Sequence, residues 1–307
     1  MRFIPSEHRT GKTQKPLLLL RPAPVLLLAF LILSASVACA QQLIIPTTDS
    51  LPPVGVQTQS GKEEEEEFIN PARPGVSNPA EFQKPGVLQI EYGYDGSFRT
   101  RDSTTEQTAP LALRFATTSR LLFELDLDTV NSQTDALGRR MTGIGDTSIG
   151  VQFVALKHTL KRPALAFAYY AKLPSASTEK GLGTGRVDHK IIALLSKKLG
   201  QTDIDFNTAY LVLGREGEKG WVTGGQAALA FERNFENNIG IQGELSGQTK
   251  DDSQPAGLYA LGALTYKVNK RLVFDSGMRF GLTHDAPRVG VFAGMTVGVA
   301  DFYRKRR

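Results

Sequence analysis

From Gly86 to the C-terminus the chain repeats with a period of two. Leu121, Phe123, Leu125 and Leu127 are apolar, and Glu124, Asp126 and Asp128 between them are charged. Successive side chains of a strand point to opposite faces, so this pattern describes a strand with one greasy and one wet side. Ile149, Val151 and Phe153 alternate with Ser148, Gly150 and Gln152. Leu165, Phe167, Tyr169 and Ala171 alternate with Ala166, Ala168 and Lys172, and only Tyr170 interrupts. Leu272, Phe274, Met278 and Phe280 alternate with Asp275 and Arg279, and the valines from Val289 to Val299 alternate with small residues and Phe292. No comparable helical period competes. The chain reads as all-β, with about twelve strands near 86–98, 109–117, 121–131, 144–156, 163–173, 189–198, 203–213, 222–232, 239–247, 257–267, 272–282 and 289–302.

The connectors come in two kinds. Thr118–Arg120, Leu199–Thr202 and Val268–Arg271 are short, whereas 99–108, 132–143 and 174–188 are long and polar. Short turns at one end, long loops at the other and an even strand count describe an antiparallel transmembrane β-barrel, its strands long enough for a tilted crossing. A secreted β-sandwich would also alternate. Two features favour the barrel. Charges recur on the polar face, and Phe115, Phe123, Phe153, Phe167, Phe231, Tyr266 and Phe274 gather beside the short turns as an interfacial girdle does. A spanning sheet must also close, because an open edge in lipid leaves backbone groups unpaired.

The barrel is preceded by segments of different composition. Basic residues from Arg2 to Arg21, an apolar run from Val25 to Leu33 and the stretch Ala38-Cys39-Ala40 have the order of a secretory signal peptide over 1–40, cut between Ala40 and Gln41. The 307-residue chain has 36 Lys+Arg against 31 Asp+Glu, a net +5. Five of those bases and one acid, Glu7, lie in 1–40, so the exported chain is almost neutral. A nucleic-acid partner loses its electrostatic basis. The single cysteine leaves with the signal, and with it any thiol chemistry. Residues 41–85 carry seven prolines and the run Glu63 to Glu67. Neither favours a sheet or a core, so this periplasmic leader reads as disordered, with a plug or partner-binding arm as the sharper alternative. The expected division is signal 1–40, leader 41–85, barrel 86–302 and basic tail 303–307.

Three motifs lie along the barrel: Lys84-Pro85-Gly86-Val87-Leu88-Gln89-Ile90-Glu91, Gly143-Ile144-Gly145-Asp146-Thr147-Ser148-Ile149-Gly150, and Ala171-Lys172-Leu173-Pro174-Ser175 followed by Gly181-Leu182-Gly183-Thr184-Gly185 and Asp188. In order and spacing, over about residues 70–302, they resemble the outer-membrane transporter family named for the meta pathway of phenol degradation. The resemblance implies a barrel in the outer membrane of a Gram-negative-type bacterium and transport of hydrophobic or aromatic compounds. It implies no catalytic residue and no cofactor. Such barrels often end on an aromatic residue read by the outer-membrane assembly machinery; here Phe302 is followed by Tyr303 and four basic residues.

Candidate functional residues are those expected on inward faces: Glu91 and Asp95 on the first strand, Arg114 on the second, Glu124, Asp126 and Asp128 on the third, and Asp146 and Gln152 on the fourth. Further round the barrel come Lys172, Gln226, Glu244, Asp275 and Arg279. Lumen charges tune selectivity, or pair and fill the interior. The leading function is a passive channel for small solutes in outer-membrane lipid, without chemistry or cofactor. The alternatives are a non-transporting barrel that presents loops or binds a partner through the leader, and an omptin-like rim protease using Asp126, Asp128 and an Asp188–His189 couple. Gly181-x-Gly183-x-Gly185 could cradle phosphate only ahead of a helix; a flexible external loop is the expectation.

Overall fold

Alternation on this scale buries one face only if the sheet curls until its two ends pair, and that is the observed architecture. The computed structural model describes residues 67–98, 105–215, 219–249 and 256–303. The expected signal, its Ala40–Gln41 cleavage point and the leader before Glu67 lie outside these residues, as does the tail after Tyr303. The strands are β1 (Val87–Phe98), β2 (Thr105–Ala116), β3 (Leu121–Thr134), β4 (Arg140–Gly143), β5 (Thr147–Leu156), β6 (Ala164–Leu173) and β7 (Asp188–Leu199). They continue as β8 (Thr202–Gly214), β9 (Trp221–Asn234), β10 (Ile239–Gln248), β11 (Gly257–Asn269), β12 (Leu272–Gly281) and β13 (Val289–Asp301). All pairings are antiparallel between chain neighbours, with β4 and β5 pairing in turn with β3 as one broken stave. β1 pairs with both β2 and β13, which closes a barrel of 12 staves.

Two strands depart from the sequence-based bounds for physical reasons. β2 starts at Thr105 rather than near 109, because a register shift between Thr108 and Pro110 lets pairing with β3 continue past a residue that has no N–H. The expected strand 144–156 is interrupted at Ile144–Asp146, where Gly145 N–H donates to the Asp128 carbonyl at 2.8 Å. A Cβ at Gly145 would stand 2.5 Å from the Asp128 Cβ, so the close approach admits only glycine.

The outer wall is apolar in bands. Phe123, Phe153, Phe167, Phe231, Tyr266 and Phe274 are exposed toward the short-turn end. Leu125, Ile149, Leu229, Leu245 and Leu264 form the middle. Tyr92, Tyr94, Tyr169, Tyr210, Trp221 and Phe280 make a second aromatic belt toward the long-loop end. Two girdles flanking an aliphatic band match the two interfaces of a bilayer, with short turns on the periplasmic side.

The largest departure from the sequence reading concerns residues 67–85. Expected as part of a disordered periplasmic leader, with a plug or partner-binding arm as the alternative, they are ordered and lie within the barrel. Ile69, Ser77, Ala80 and Gln83 are buried. Proline-rich backbone makes few hydrogen bonds with itself, so its polar groups pair with inward side chains of the wall. Asn70 N–H donates to Gln89 and Ala72 N–H to Glu91, both at 2.9 Å. Val76 and Ser77 N–H both donate to Glu244 at 2.8 Å, and Ala80 N–H to Ser196 at 2.7 Å. Gln152 Nε2 donates to the carbonyls of Pro79 and Ala80. The segment is thus tied to β1, β10, β7 and β5. Arg73 reaches β12, where its Nε lies 3.2 Å from Asp275 Oδ2.

Small residues make room for that reach. Gly93 on β1 is paired with Gly294 on β13, and Gly294 with Asp275 on β12. A Cβ at either glycine would come within 2.6 Å of the Arg73 guanidinium. At the mouth, Gly298 seats Phe68 in the same way, and the Arg271 guanidinium lies 4.2 Å over the Phe68 ring. The Lys84-Pro85-Gly86 motif then turns the chain into β1. Gly86 has φ +82°, and a Cβ there would collide with the Tyr303 ring at 2.5 Å. Lys84 Nζ pairs with Asp301 at 3.0 Å, and Phe302 N–H donates to the Gly86 carbonyl at 2.8 Å.

Removing one partner of a buried pair costs about 3 kcal/mol or more, because the other charge is stranded. Asp275→Ala and Gly294→Val should therefore both release Arg73 while the barrel stays folded. Limited proteinase K digestion of the detergent-solubilised protein should cut within residues 67–85 in both variants and spare that segment in the parent. Equal resistance in all three would mean that the segment is seated without this pair.

Candidate functional site

The strand register sorts the inward side chains into rings. Gln89 is paired with Arg114, Arg114 with Glu124, Glu124 with Gly150, Gly150 with Tyr170, and Tyr170 with Lys190. The next row runs Glu91, Ala112, Asp126, Ser148, Lys172, Asp188 through the same ladders. Groups from six staves therefore face one another although they lie far apart in sequence.

The lower ring is built around Arg114, whose side chain is 0% exposed. Its Nη1 lies 3.2 Å from Glu91 Oε1 and its Nε 3.3 Å from Glu124 Oε2, and Nη1 also donates to the Asn70 carbonyl at 2.9 Å. One guanidinium thus joins β1, β2, β3 and the N-terminal segment. Tyr170 O–H donates to Glu124 at 3.1 Å. Its ring lies across Gly150, where a Cβ would approach within 2.3 Å. The residue that breaks the apolar alternation of β6 does so because it faces inward and needs a bare glycine opposite.

The upper ring holds Lys172 between two carboxylates. Its Nζ is 3.2 Å from Asp146 and also pairs with Asp188. Asp146 further accepts the N–H of Ala176 at 2.9 Å. This fastens the loop 174–187, expected to be flexible and external, at the lumen. Leu182 in that loop is 5% exposed and Ala176 8%. Gly181 and Gly185 have φ of +67°, and Gly183 packs against Asp146 and Ala176. The glycines serve a tight turn, and a strand, β7, follows the loop.

Across the barrel Arg279 Nη2 pairs with Asp95 at 2.6 Å. Between segment and loop lies a cavity of about 530 Å³, lined by Arg73, Glu106, Asp126, Asp128, Lys172 and Leu182 among others. A second, about 610 Å³, adjoins it through Glu106, Asp128 and Gln133 and is lined by Asp95, Gln226, Tyr259 and Arg279.

The expected inward residues thus divide into two groups. Glu91, Gln152, Glu244 and Asp275 face the lumen but hold the N-terminal segment, and Arg114 with Glu124 forms the pillar beside it. Asp95, Asp126, Asp128, Asp146, Lys172, Gln226 and Arg279 line the cavities on its external side. Sequence reasoning missed Arg73, Tyr170, Leu182 and Lys190. Lys190 had a signal, since it lies two residues from Asp188 and so shares its face. The protease reading needs His189 beside the carboxylates. Asp188 does point inward, but His189 faces outward, with Nδ1 2.7 Å from the Tyr169 hydroxyl and its ring 5.4 Å from that of Trp221.

Comparison with known proteins places this geometry. An outer membrane channel from Pseudomonas putida F1 superposes with a TM-score of 0.59 at 14% identity, covering 74% of this chain and 99% of that one, and so shares the barrel fold. The CymD monoaromatic hydrocarbon channel matches at TM-score 0.40 and 8% identity over 72% of this chain and 90% of that one. Outer membrane phospholipase A from Escherichia coli matches at 0.42 and 11%, over 78% and 97%. No curated protein matches the sequence. A family profile described as the MetA-pathway of phenol degradation matches residues 72–298. That span takes in the seated segment and the barrel through most of its last strand, and the chain belongs to this family.

Proposed function

We propose that this protein is a passive outer-membrane channel for small molecules, with neutral phenolic compounds as its solute class. The observation that carries the reading is the pair of adjoining lumen cavities, about 530 and 610 Å³, rimmed by Asp95, Glu106, Asp126 and Asp128. Their size suits a single aromatic ring with some of its water. Carboxylates accept the hydroxyl hydrogen of a neutral phenol and repel anionic carboxylates or phenolates. The family description supplies the phenolic class, and the P. putida and CymD barrels are themselves described as channels. No covalent step is required. Asp126 and Asp128 set the field of the chamber, and Lys172 and Arg279 hold two of its walls. Residues 1–40 serve as the export signal that brings the barrel to the outer membrane.

Residues 67–85 occupy the periplasmic side of the lumen, so solute passes beside the segment or while it shifts from the wall. The same observation favours the second reading, a non-transporting barrel. The carbonyl of Glu67 accepts the N–H of Lys84, which places Glu67 at the periplasmic mouth, where a partner could meet it.

Proteoliposomes carrying the folded protein should swell faster in phenol than in benzoate at neutral pH, and Asp275→Ala should swell at least as fast as the parent. A folded barrel that gives no conductance and no uptake in either form sinks the channel reading in favour of the second. If current flows, Asp126→Asn/Asp128→Asn should lower cation preference several-fold, read from the reversal potential in a KCl gradient. An unchanged potential would remove both residues from the filter.

A further inference from the structure

The periplasmic rim is charged unevenly. On the arc from β3 to β8, the turn 117–120 ends in Arg120, the turn 157–163 carries Lys157, Lys161 and Arg162, and β7 ends in Lys197 and Lys198. The described acids close by are Glu81, whose carboxylate accepts the His158 N–H at 3.3 Å, Asp203, paired in register with Lys198 on the lumen side, and Asp205, which accepts from Ser196. The arc therefore keeps a net positive charge.

The turn 157–163 is also built to hold its shape. Lys197 Nζ donates to the carbonyls of Thr159 and Leu160, both at 2.8 Å, and Arg162 N–H donates back to Thr159 at 3.2 Å. Arg120 Nη1 bonds the carbonyls of Val154 and Ala155 at 3.0 Å. At the tip of this braced turn Leu160 is 94% exposed, and Leu199 beside it is 56% exposed. Just above stand Phe153 and Phe167, paired across β5 and β6 on the outer wall. An apolar tip ringed by cations, continuous with the lipid-facing aromatic girdle, lies at the headgroup level of the inner leaflet.

We propose that this arc is a binding surface for anionic phospholipid of the periplasmic leaflet. Lys161 and Arg162 meet the phosphates, and Leu160 and Leu199 insert among the upper acyl carbons. The chemistry follows from charge complementarity, from the weaker hydration of a rigid guanidinium beside phosphate, and from stems that lie along apolar surface while their heads stay wet.

The full-length mature protein, folded as judged by heat-modifiable electrophoretic mobility, would be titrated with cardiolipin or dioleoyl phosphatidylethanolamine and the bound lipid counted by native mass spectrometry. Cardiolipin should be retained preferentially. The variant Lys161→Gln/Arg162→Gln should lose that preference by about five-fold per charge removed. Lys197 is left in place because it braces the turn. The variant Arg139→Gln/Lys180→Gln, at the opposite end, should bind as the parent does. Equal retention of the two lipids by the parent, or undiminished preference in the double variant, overturns the proposal. So does cardiolipin binding that emerges only when Glu63 to Glu66 are replaced by Gln, since the chain's own acidic run would then be the occupant.

Discussion

Arg114 sits where four parts of the molecule meet, and its charge is affordable only because of them. A guanidinium shut away from water needs carboxylates at close range and acceptors for its remaining donors. Glu91 and Glu124 supply the first, from the strands on either side, and the Asn70 carbonyl supplies part of the second. The pairing fixes the register of β1, β2 and β3, because a one-residue slip of any of them would turn its charge out toward lipid and strand the others. It also fixes the N-terminal segment, since Asn70 is in place only when residues 67–85 lie inside. Wall and filling are therefore one polar network.

That network explains why an acidic lumen face need not mean an acidic pore. Several wall carboxylates act on backbone N–H groups, as Glu244 does with Val76 and Ser77 and Glu91 does with Ala72. Prolines at 71, 74 and 79 leave the segment's neighbouring N–H and carbonyl groups without regular internal partners, and the wall answers them one by one. Among the described residues, the carboxylates on the external side of the segment line the open cavities, and the functional reading rests on them.

How much of this could be read from the sequence follows from the range of the forces involved. The barrel was legible because its signal is local: the alternation at Leu121–Asp128 shows β3 and both its faces without knowledge of any neighbour. The inward positions of Glu124, Asp126, Lys172, Asp275 and Arg279 followed by parity. Register carried no local signal, so nothing indicated that Glu91, Asp126 and Lys172 share a ring. Tyr170 looked like an error in the pattern because its explanation, Gly150, lies on another strand. The seated segment was least visible. Its proline content argued against sheet and core, yet Ala80 joins the buried cluster and its order comes from side chains up to 217 residues away, as with Lys84 and Asp301.

The glycine floor under that segment has a consequence for the order in which the molecule can be completed. Gly294 and Gly298, which admit Arg73 and Phe68, belong to the last strand, and Tyr303 closes over Gly86 just beyond it. Before the C-terminal strand has joined the first, half of the berth is missing and Asp275 has no guanidinium to meet. The earliest-made residues of the barrel unit thus find their place last, and a chain with residues 67–85 docked has by that fact sealed its final seam.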